Sequence, residues 1–485
     1  MVAGTFGGVV AAAIPGFTIT MAIVLTLPLT FALPPLQGLA VMLAGYVGGD
    51  AGGLFSAALL GIPGTPSSVA TTFDAYPMAR RGEPGRALAI GIWASFLGTL
   101  LSTALLIAAA PPLALVAVKL GPWEYFALIV FALTAVASLV GRDLLKGLIA
   151  ALLGLWIATV GPDPMMGRER FTFGVEMLAP GFPFLVVLIG VYAISQLLGD
   201  LERDAPEERR LASTALALHP GRAFKEVVLR PLNLLRSSLI GAVVGAVPGA
   251  GGSIANLLAY DQARLASSHP EQFGTGTPEG VVASESGNSA TAGGGLIHLI
   301  DLGVPGSAVD AVLMAALMVH GIQVGPRLIV DYPELVYGVF MAMAVAGVLM
   351  VEICLSTLRF FLKVILLPRA VLVPAVMVCC VVGAFALNNR ASDIYLLALM
   401  GVVGYGLRKL DYPLAPLVLG VILGPIAEVN LRRALMIDGD WAVFFTRPGA
   451  LLLWALALIS LGAGIYRHRR AQSTASSPSS IPSSH

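Results

Sequence analysis

Long apolar runs separated by short polar segments follow one another along almost the whole chain. A helix that crosses a membrane needs about 20 consecutive, mostly apolar residues. By this criterion the first half holds candidate spans at residues 17–33, 36–60, 87–118, 125–140, 144–160 and 183–198. The pattern therefore predicts an all-α polytopic membrane protein.

The second half repeats this organisation after a polar segment. Its apolar runs lie at residues 237–260, then in broken segments through His298 and His320, and then at 335–355, 360–367, 371–387, 394–406, 414–426 and 451–466. We expect about 12 spans in two repeats. The predicted domains are a first membrane half (1–198), a polar linker (199–236), a second membrane half (237–466) and a disordered tail rich in Ser and Pro (467–485). Arginine and lysine residues in the linker and after the last span predict that both are cytoplasmic.

Pro-Gly pairs interrupt the apolar runs at matching places in the two halves. Pro15-Gly16 and Pro63-Gly64 break the first half, and Pro248-Gly249 and Pro305-Gly306 break the second. The ten-residue spacing from Gly53 to Pro63 recurs from Gly295 to Pro305. Paired interruptions of this kind indicate a transporter's binding site at the repeat interface. The alternative is that Gly and Pro only allow close packing of membrane helices.

A broken helix exposes unpaired amides at the start of the downstream segment, and these attract anions. Hydroxyl side chains follow the breaks, where they would face a carboxylate or, alternatively, only cap the next helix. Asn256 would line a pathway or join neighbouring helices by hydrogen bonds. The candidate substrate-binding residues are Pro15, Gly16, Gly61, Pro63, Gly64, Thr65, Ser67, Ser68, Pro248, Gly249, Gly251, Ser253, Asn256, Pro305, Gly306 and Ser307.

A run of oxygen-bearing side chains, Glu285, Asn288 and Ser289, precedes the glycine-rich approach to the last break. Ionisable groups at membrane depth are expensive and usually functional, so this run predicts a site for a coupling sodium ion or proton. In the alternative interpretation, Glu285 still belongs to the aqueous loop before it. The further coupling-ion candidates are Asp50, Asp301 and Asp310.

Composition and motifs exclude several classes of function. Hydrophobic residues make up 57% of the 485 residues and charged residues only 12%, and the net charge of +1 gives no indication of nucleic-acid binding. No P-loop, HExxH or GxSxG motif occurs, so neither ATP hydrolysis nor enzymatic activity is expected. Three cysteines lie in apolar stretches without metal-ligand spacing, and no cofactor beyond the coupling ion is expected.

Three blocks resemble the large membrane subunit of the tripartite tricarboxylate transporters, the TctA family. They are GIPGTPSSVATTFDAYPMARRGEPGRALA, GAVPGAGGSIANLLAYDQARLASSHPEQFGTGTPEGVVASESGNSATAGG and LGVPGSAVDAVLMAALMVHGIQVGP. The resemblance implies an ion-driven secondary transporter in a bacterial inner membrane. It also implies a small membrane subunit and a periplasmic solute-binding protein that delivers carboxylates such as citrate. The alternatives are a channel or scaffold subunit and an intramembrane enzyme.

Overall fold

The computed structural model describes residues 1–14, 17–140, 143–202, 218–358, 360–361 and 369–475. In chain order the α-helices are α1 (Val2–Ala13), α2 (Ile19–Thr30), α3 (Pro35–Leu60), α4 (Val69–Arg80), α5 (Pro84–Ala117), α6 (Pro122–Val140), α7 (Leu144–Ala158), α8 (Phe184–Leu188), α9 (Ser195–Glu202), α10 (Pro220–Val228), α11 (Pro231–Gly245), α12 (Gly251–Ala266), α13 (Pro278–Leu302), α14 (Ala308–Val319), α15 (Leu328–Asp331), α16 (Pro333–Ser356), α17 (Arg369–Asn388), α18 (Ala391–Lys409), α19 (Leu414–Asp438) and α20 (Pro448–Ala475). A π-helical segment, Ile189–Ile194, connects α8 to α9. The described strands are β1 (Gly161–Pro162) and β2 (Glu169–Arg170), an antiparallel pair.

Six of the described helices are long and apolar enough to cross a membrane, and a seventh span results if α10 and α11, bent by 81°, are counted as one. The six are Pro35–Leu60, Pro84–Ala117, Pro122–Leu139, Pro333–Ser356, Leu414–Asp438 and Pro448–Tyr466. Other apolar helices have only 10–17 residues. The all-α class of a multi-pass membrane protein is confirmed. The expected 12 spans are not, because many apolar segments form helices too short to cross alone.

The chain folds into two compact units. Unit 1 comprises Met1–Lys119 and Phe182–Gly406, and unit 2 comprises Leu120–Gly181 and Leu407–His485. Helix α11 begins inside the predicted linker, and α20 extends past the predicted end of the second half at Tyr466. Residues 203–217 and 476–485, in the linker and tail, lie outside the described residues. The two repeat halves stay a prediction.

Close helix packing in unit 1 depends on glycines that face backbone atoms. On α1, a Cβ at Gly8 would collide with the carbonyl oxygen of Gly45 on α3. On α11, a Cβ at Gly245 would lie 2.7 Å from the Cα of Thr291 on α13. Small residues let membrane helices approach closely, where backbone and dispersion contacts replace the missing hydrophobic drive. In both pairs, α1–α3 and α11–α13, a glycine without a side chain allows the close approach.

Helices α3 and α13 end in the same way at the predicted breaks. Each is followed by a glycine in the left-handed region, Gly61 with φ 67° and Gly303 with φ 66°. Only glycine adopts this conformation readily, and the prolines two residues on cannot continue a helix. Both helices are buried over most of their length. Residues 304–306 of the second break are buried as well, whereas Ile62 in the first break is 43% exposed.

Unit 2 contains α6, α7, α19 and α20 and a loop that is held by an ion-pair cluster. The Asp163 carboxylate lies 2.8 Å from Arg432 and 3.3 Å from Arg170. Its Oδ1 accepts hydrogen bonds of 2.8 Å from the backbone N–H groups of Met165 and Met166. These amide donors and the Arg432 guanidinium lower the pKa of Asp163 to about 2. The loop between α7 and α8 is thus fixed to α19 by a carboxylate that stays ionised.

We expect Gly8→Ala to destabilise the protein by about 1–3 kcal/mol, because the added methyl group forces α1 away from α3. The matched control is Gly7→Ala, since a Cβ at Gly7 meets no atom within 4 Å. The stability of both variants is measured by thermal unfolding in detergent. Equal unfolding midpoints for the two variants would contradict the packing described here.

Because the pKa of Asp163 is lowered on folding, its ionised form stabilises the protein above the ordinary value of 3.8, and this contribution is lost as the pH falls towards about 2. Asp163→Asn should therefore lower the unfolding midpoint at neutral pH, and the gap to the parent should close between about pH 4 and pH 2. Midpoints measured across this range test the assignment. A gap independent of pH would show that the carboxylate's charge is not what stabilises the loop.

Candidate functional site

The first described break forms a closed cap of hydroxyl groups. The Thr65 N–H donates to Ser68 Oγ at 3.2 Å, and Ser68 Oγ donates to the Thr65 carbonyl at 2.9 Å. Thr65 Oγ1 and Ser67 Oγ are 3.0 Å apart and share a hydrogen bond. Gly53 allows this approach, since a Cβ there would lie 2.8 Å from Thr65 Oγ1. These hydroxyls therefore do cap the turn that leads into α4, and a substrate role for them stays a prediction.

The two breaks of the second half are bonded to each other. The Gly249 N–H donates to the Gly306 carbonyl at 2.7 Å, and Gly306 lies against the His298 ring, where a Cβ would collide. Ser307 caps α14, its Oγ accepting from the Asp310 N–H at 3.2 Å. Pro248-Gly249 and Pro305-Gly306, separated by more than 50 residues of sequence, thus form one structural feature.

The first break also meets the start of α12. A Cβ at Gly252 would lie 2.8 Å from Ser67 Cβ and 2.6 Å from Asn288 Oδ1. Gly251, with φ 57°, begins α12 in a conformation that favours glycine. Ser253 is partly exposed. Residues from three separate stretches, predicted as candidates on their own, are therefore brought together here.

Asn256 joins three helices. Its Oδ1 accepts from the Ala70 N–H at 2.7 Å, which supplies an otherwise orphan amide in the first turn of α4. Its Nδ2 donates to the Ser284 carbonyl at 3.1 Å. The side chain is buried, and both its amide oxygen and its amide nitrogen form hydrogen bonds. The structure thus shows the helix-joining role that the sequence left as one alternative.

Glu285 lies inside α13 and is buried, so it does not belong to the preceding aqueous loop. Thr71 Oγ1 donates to Glu285 Oε1 at 2.5 Å, and Ser95 Oγ donates to Oε2 at 2.9 Å. Both carboxylate oxygens therefore have a hydroxyl partner, from α4 and from α5. This network ties α13 to α4 and α5.

Several other predicted residues carry polar atoms without a described partner. They are Asp50 Oδ2, Asn288 Oδ1, Ser289 Oγ, and both carboxylate oxygens of Asp301 and Asp310. Asn288 Nδ2 donates to the Asp50 carbonyl oxygen at 3.0 Å. Pro15 and Gly16 lie outside the described residues.

Thr71 and Ser95, the partners of Glu285, were not predicted. Ser95 does carry a sequence signal, because Ser95, Thr99, Ser102 and Thr103 recur at helical spacing on α5. This polar stripe faces α13, where Gly98 lies against Ser286 and Gly293 against Ser102.

Asp74 is a second buried carboxylate whose partners are clear only in the structure. Its Oδ1 accepts from the N–H groups of Gly274, Gly276 and Thr277 at 2.7–3.0 Å. Its Oδ2 accepts from the Tyr260 hydroxyl at 2.8 Å. Asp74 therefore holds the loop that leads into α13 against α4.

Apolar helices of spanning length and broken helices that meet around buried carboxyl groups define a multi-pass helical membrane protein. The model of the tripartite tricarboxylate transporter TctA family matches residues 1–419, and the chain belongs to this family. An uncharacterized 52.8 kDa protein in the TAR-I ttuC' 3'region of Agrobacterium vitis is 36% identical over 460 residues, which cover 94% of this chain and 90% of that protein. An uncharacterized protein in the TAR-II ttuC' 3'region of the same organism is 36% identical over 220 residues, 45% of this chain and 91% of that protein. No solved structure matches.

Asn256→Ala should lower the free energy of unfolding by about 1–3 kcal/mol, because the Ala70 N–H and the Ser284 carbonyl lose their partner in a buried place. Leu257→Ala is the matched control, since the neighbouring Leu257 side chain is 40% exposed. The test compares the unfolding midpoints of the two variants, measured in the same detergent. If Asn256→Ala is no less stable than Leu257→Ala, the side chain does not join these helices.

Proposed function

We propose that this chain is the large membrane subunit of a secondary transporter that imports carboxylates, citrate-like tricarboxylates or related organic acids, and depends on a solute-binding protein. Membership in the TctA family supports the transporter class. The observation that carries the proposal is the meeting of Ser67, Gly252 and Asn288, which joins the first break to the second half.

Carboxylate binding has a physical basis in this arrangement. Helices α4, α12 and α14 all begin at the breaks, so their N-terminal amides and the positive ends of their dipoles lie in the same region of unit 1. Helix N-termini bind anions through these groups. The hydroxyls of Thr65, Ser67 and Ser307 would orient the carboxylate there. Substrate choice would fall largely to the binding protein.

Import of an anion needs an ion gradient. In a bacterial inner membrane the potential is negative inside, and moving one elementary charge against it requires about 2.3 kcal/mol per 100 mV. A di- or tricarboxylate can therefore accumulate only if cations enter with it. Buried carboxyl groups beside the breaks support such coupling. The remaining partners in this proposal are a small membrane subunit and a periplasmic binding protein.

The direct test is uptake into proteoliposomes that contain both membrane subunits, with binding protein and labelled carboxylate outside. We expect accumulation above the outside concentration only when the binding protein and an imposed sodium or proton gradient are both present. Equilibration without accumulation would favour a channel, and no uptake under any gradient would favour a scaffold.

Ser67→Ala should raise the half-saturating concentration for uptake roughly tenfold, because a neutral donor to a bound carboxylate contributes about 1.5 kcal/mol. Thr72→Val is the control, since the Thr72 hydroxyl donates to the Val69 carbonyl within its own helix. Initial uptake rates across substrate concentrations give the comparison, with expression measured for each variant. Unchanged kinetics in Ser67→Ala would limit this hydroxyl to capping.

A further inference from the structure

Helix α10 meets α11 at a bend of 81°, and side-chain hydrogen bonds fix this bend. The Arg230 guanidinium donates to the Glu226 carbonyl at 2.7 Å, so it supplies a partner to an otherwise orphan acceptor at the end of α10. The Asn233 side-chain amide donates to the Glu279 carbonyl at 3.0 Å and joins the first turn of α11 to α13. The bend is therefore a defined feature of unit 1, and α10 departs from the direction of α11.

Helix α10 packs against α5 through one face. Ala223 and Val227, one helical turn apart, are both buried. The Trp93 indole N–H donates to the Pro220 carbonyl at 3.1 Å, and the centroids of the Trp93 and Phe224 rings are 4.8 Å apart. These contacts position α10 on α5 and leave the other sides of α10 uncovered.

Both basic side chains of α10 are free of ion pairs with the described residues. Arg222 and Lys225 are exposed, and their three-residue spacing makes them neighbours on the helix surface. By contrast, the nearby Arg86 of α5 donates to both carboxylate oxygens of Glu226, at 3.1 and 2.9 Å. The charge of Arg86 is therefore balanced within the protein, whereas the charges of Arg222 and Lys225 are available to a ligand outside it.

Large apolar side chains are exposed from α10 into α11. On α10 and at the bend, Phe224, Val228 and Leu229 are 38%, 44% and 78% exposed. Four apolar residues of α11 are 50–80% exposed: Leu232, Leu235, Leu239 and Val243. Their spacing of three or four residues places them on one face, and an exposed apolar face of a membrane protein contacts the acyl chains. Helix α11 therefore enters the bilayer, and the exposed apolar side chains of α10 adjoin its lipid-facing surface.

We propose that α10 is an interfacial anchor that binds the headgroups of anionic phospholipids. A helix that turns by 81° from a neighbour inside the bilayer lies along the membrane surface. There its apolar side chains reach the acyl chains, while long basic side chains extend to the lipid phosphates. Arg222 and Lys225 are the headgroup ligands. A cleft of about 830 Å³ beside Arg222, lined also by Arg86 and His219, gives a headgroup room to enter.

The combination of charged and apolar groups favours a lipid over other occupants. A soluble anion would be held by the two basic side chains alone and would leave Phe224, Val228 and Leu229 in water. A lipid layer offers phosphates next to acyl chains, and α10 and α11 present basic and apolar side chains in the same order. The surface therefore fits the edge of an anionic bilayer.

The test measures lipid binding by the purified full-length protein, without transport. Its thermal unfolding midpoint is followed in detergent while phosphatidylglycerol, an anionic lipid, replaces phosphatidylcholine at constant total lipid. A ligand that binds the folded state raises the midpoint saturably, so phosphatidylglycerol should raise it. The rise should shrink at high salt, because salt screens the interactions of exposed charges.

A double variant of α10 tests the headgroup ligands. Arg222→Gln with Lys225→Gln should abolish the rise or increase the half-saturating fraction of phosphatidylglycerol about tenfold or more, because two basic contacts with the lipid are lost. Both side chains are exposed, so this variant should unfold like the parent in phosphatidylcholine alone. The matched control is Arg264→Gln with Lys119→Gln, which removes the same two charges from exposed positions elsewhere in unit 1. It should keep the response of the parent.

The proposal is overturned if the two lipids act alike on the parent, or if the double variant of α10 responds like the parent. An equal loss in the control variant would show a general effect of net charge and would also overturn it. Inorganic phosphate that raises the midpoint as phosphatidylglycerol does would assign the site to a soluble anion. A lipid response that disappears when the small membrane subunit is co-purified would assign the surface to that subunit. Either result would overturn the lipid assignment.

Discussion

Breaking a helix at membrane depth leaves N–H and C=O groups that lipid cannot satisfy, so the protein itself must supply their partners. The rest of unit 1 depends on how this requirement is met. The Gly249 N–H bonds to the Gly306 carbonyl, and Asn256 supplies an acceptor to the Ala70 N–H at the start of α4. The breaks are therefore tolerated because they bond to each other and to neighbouring helices.

The need for hydrogen-bond partners inside the protein also brings polar side chains of different helices into contact. Thr71 and Ser95 from the first half hold the Glu285 carboxylate of the second. Glycines such as Gly252 and Gly295 allow the remaining groups to approach. Some of these polar atoms are fully paired, and others, at Asp50 and Asp310, are not. The fully paired groups hold α4, α5 and α13 together.

Local features of the fold could be predicted from the sequence, and long-range ones could not. Gly61 and Gly303 end their helices as expected, because the conformational freedom of glycine and the restriction of proline act within a few residues. The partners of Glu285 lie about 190 or more residues away and depend on tertiary packing. The number of spans could not be predicted from the hydrophobic pattern either. An apolar run looks the same whether it forms a helix that crosses the membrane or a short helix next to a break.

The central claim is that the two broken halves interlock through buried polar groups, and a cysteine pair tests it most directly. The Thr71 and Ser284 hydroxyls are 3.2 Å apart, on α4 and α13. With the native cysteines replaced by serine, Thr71→Cys with Ser284→Cys should form a disulfide in native membranes under mild oxidation, because paired cysteines need neighbouring Cβ atoms that point at each other. The control pair is Thr72→Cys with Ser284→Cys, one residue round the helix. Cross-linking of the first pair well above the control is the predicted result, and equal or no cross-linking would contradict the account.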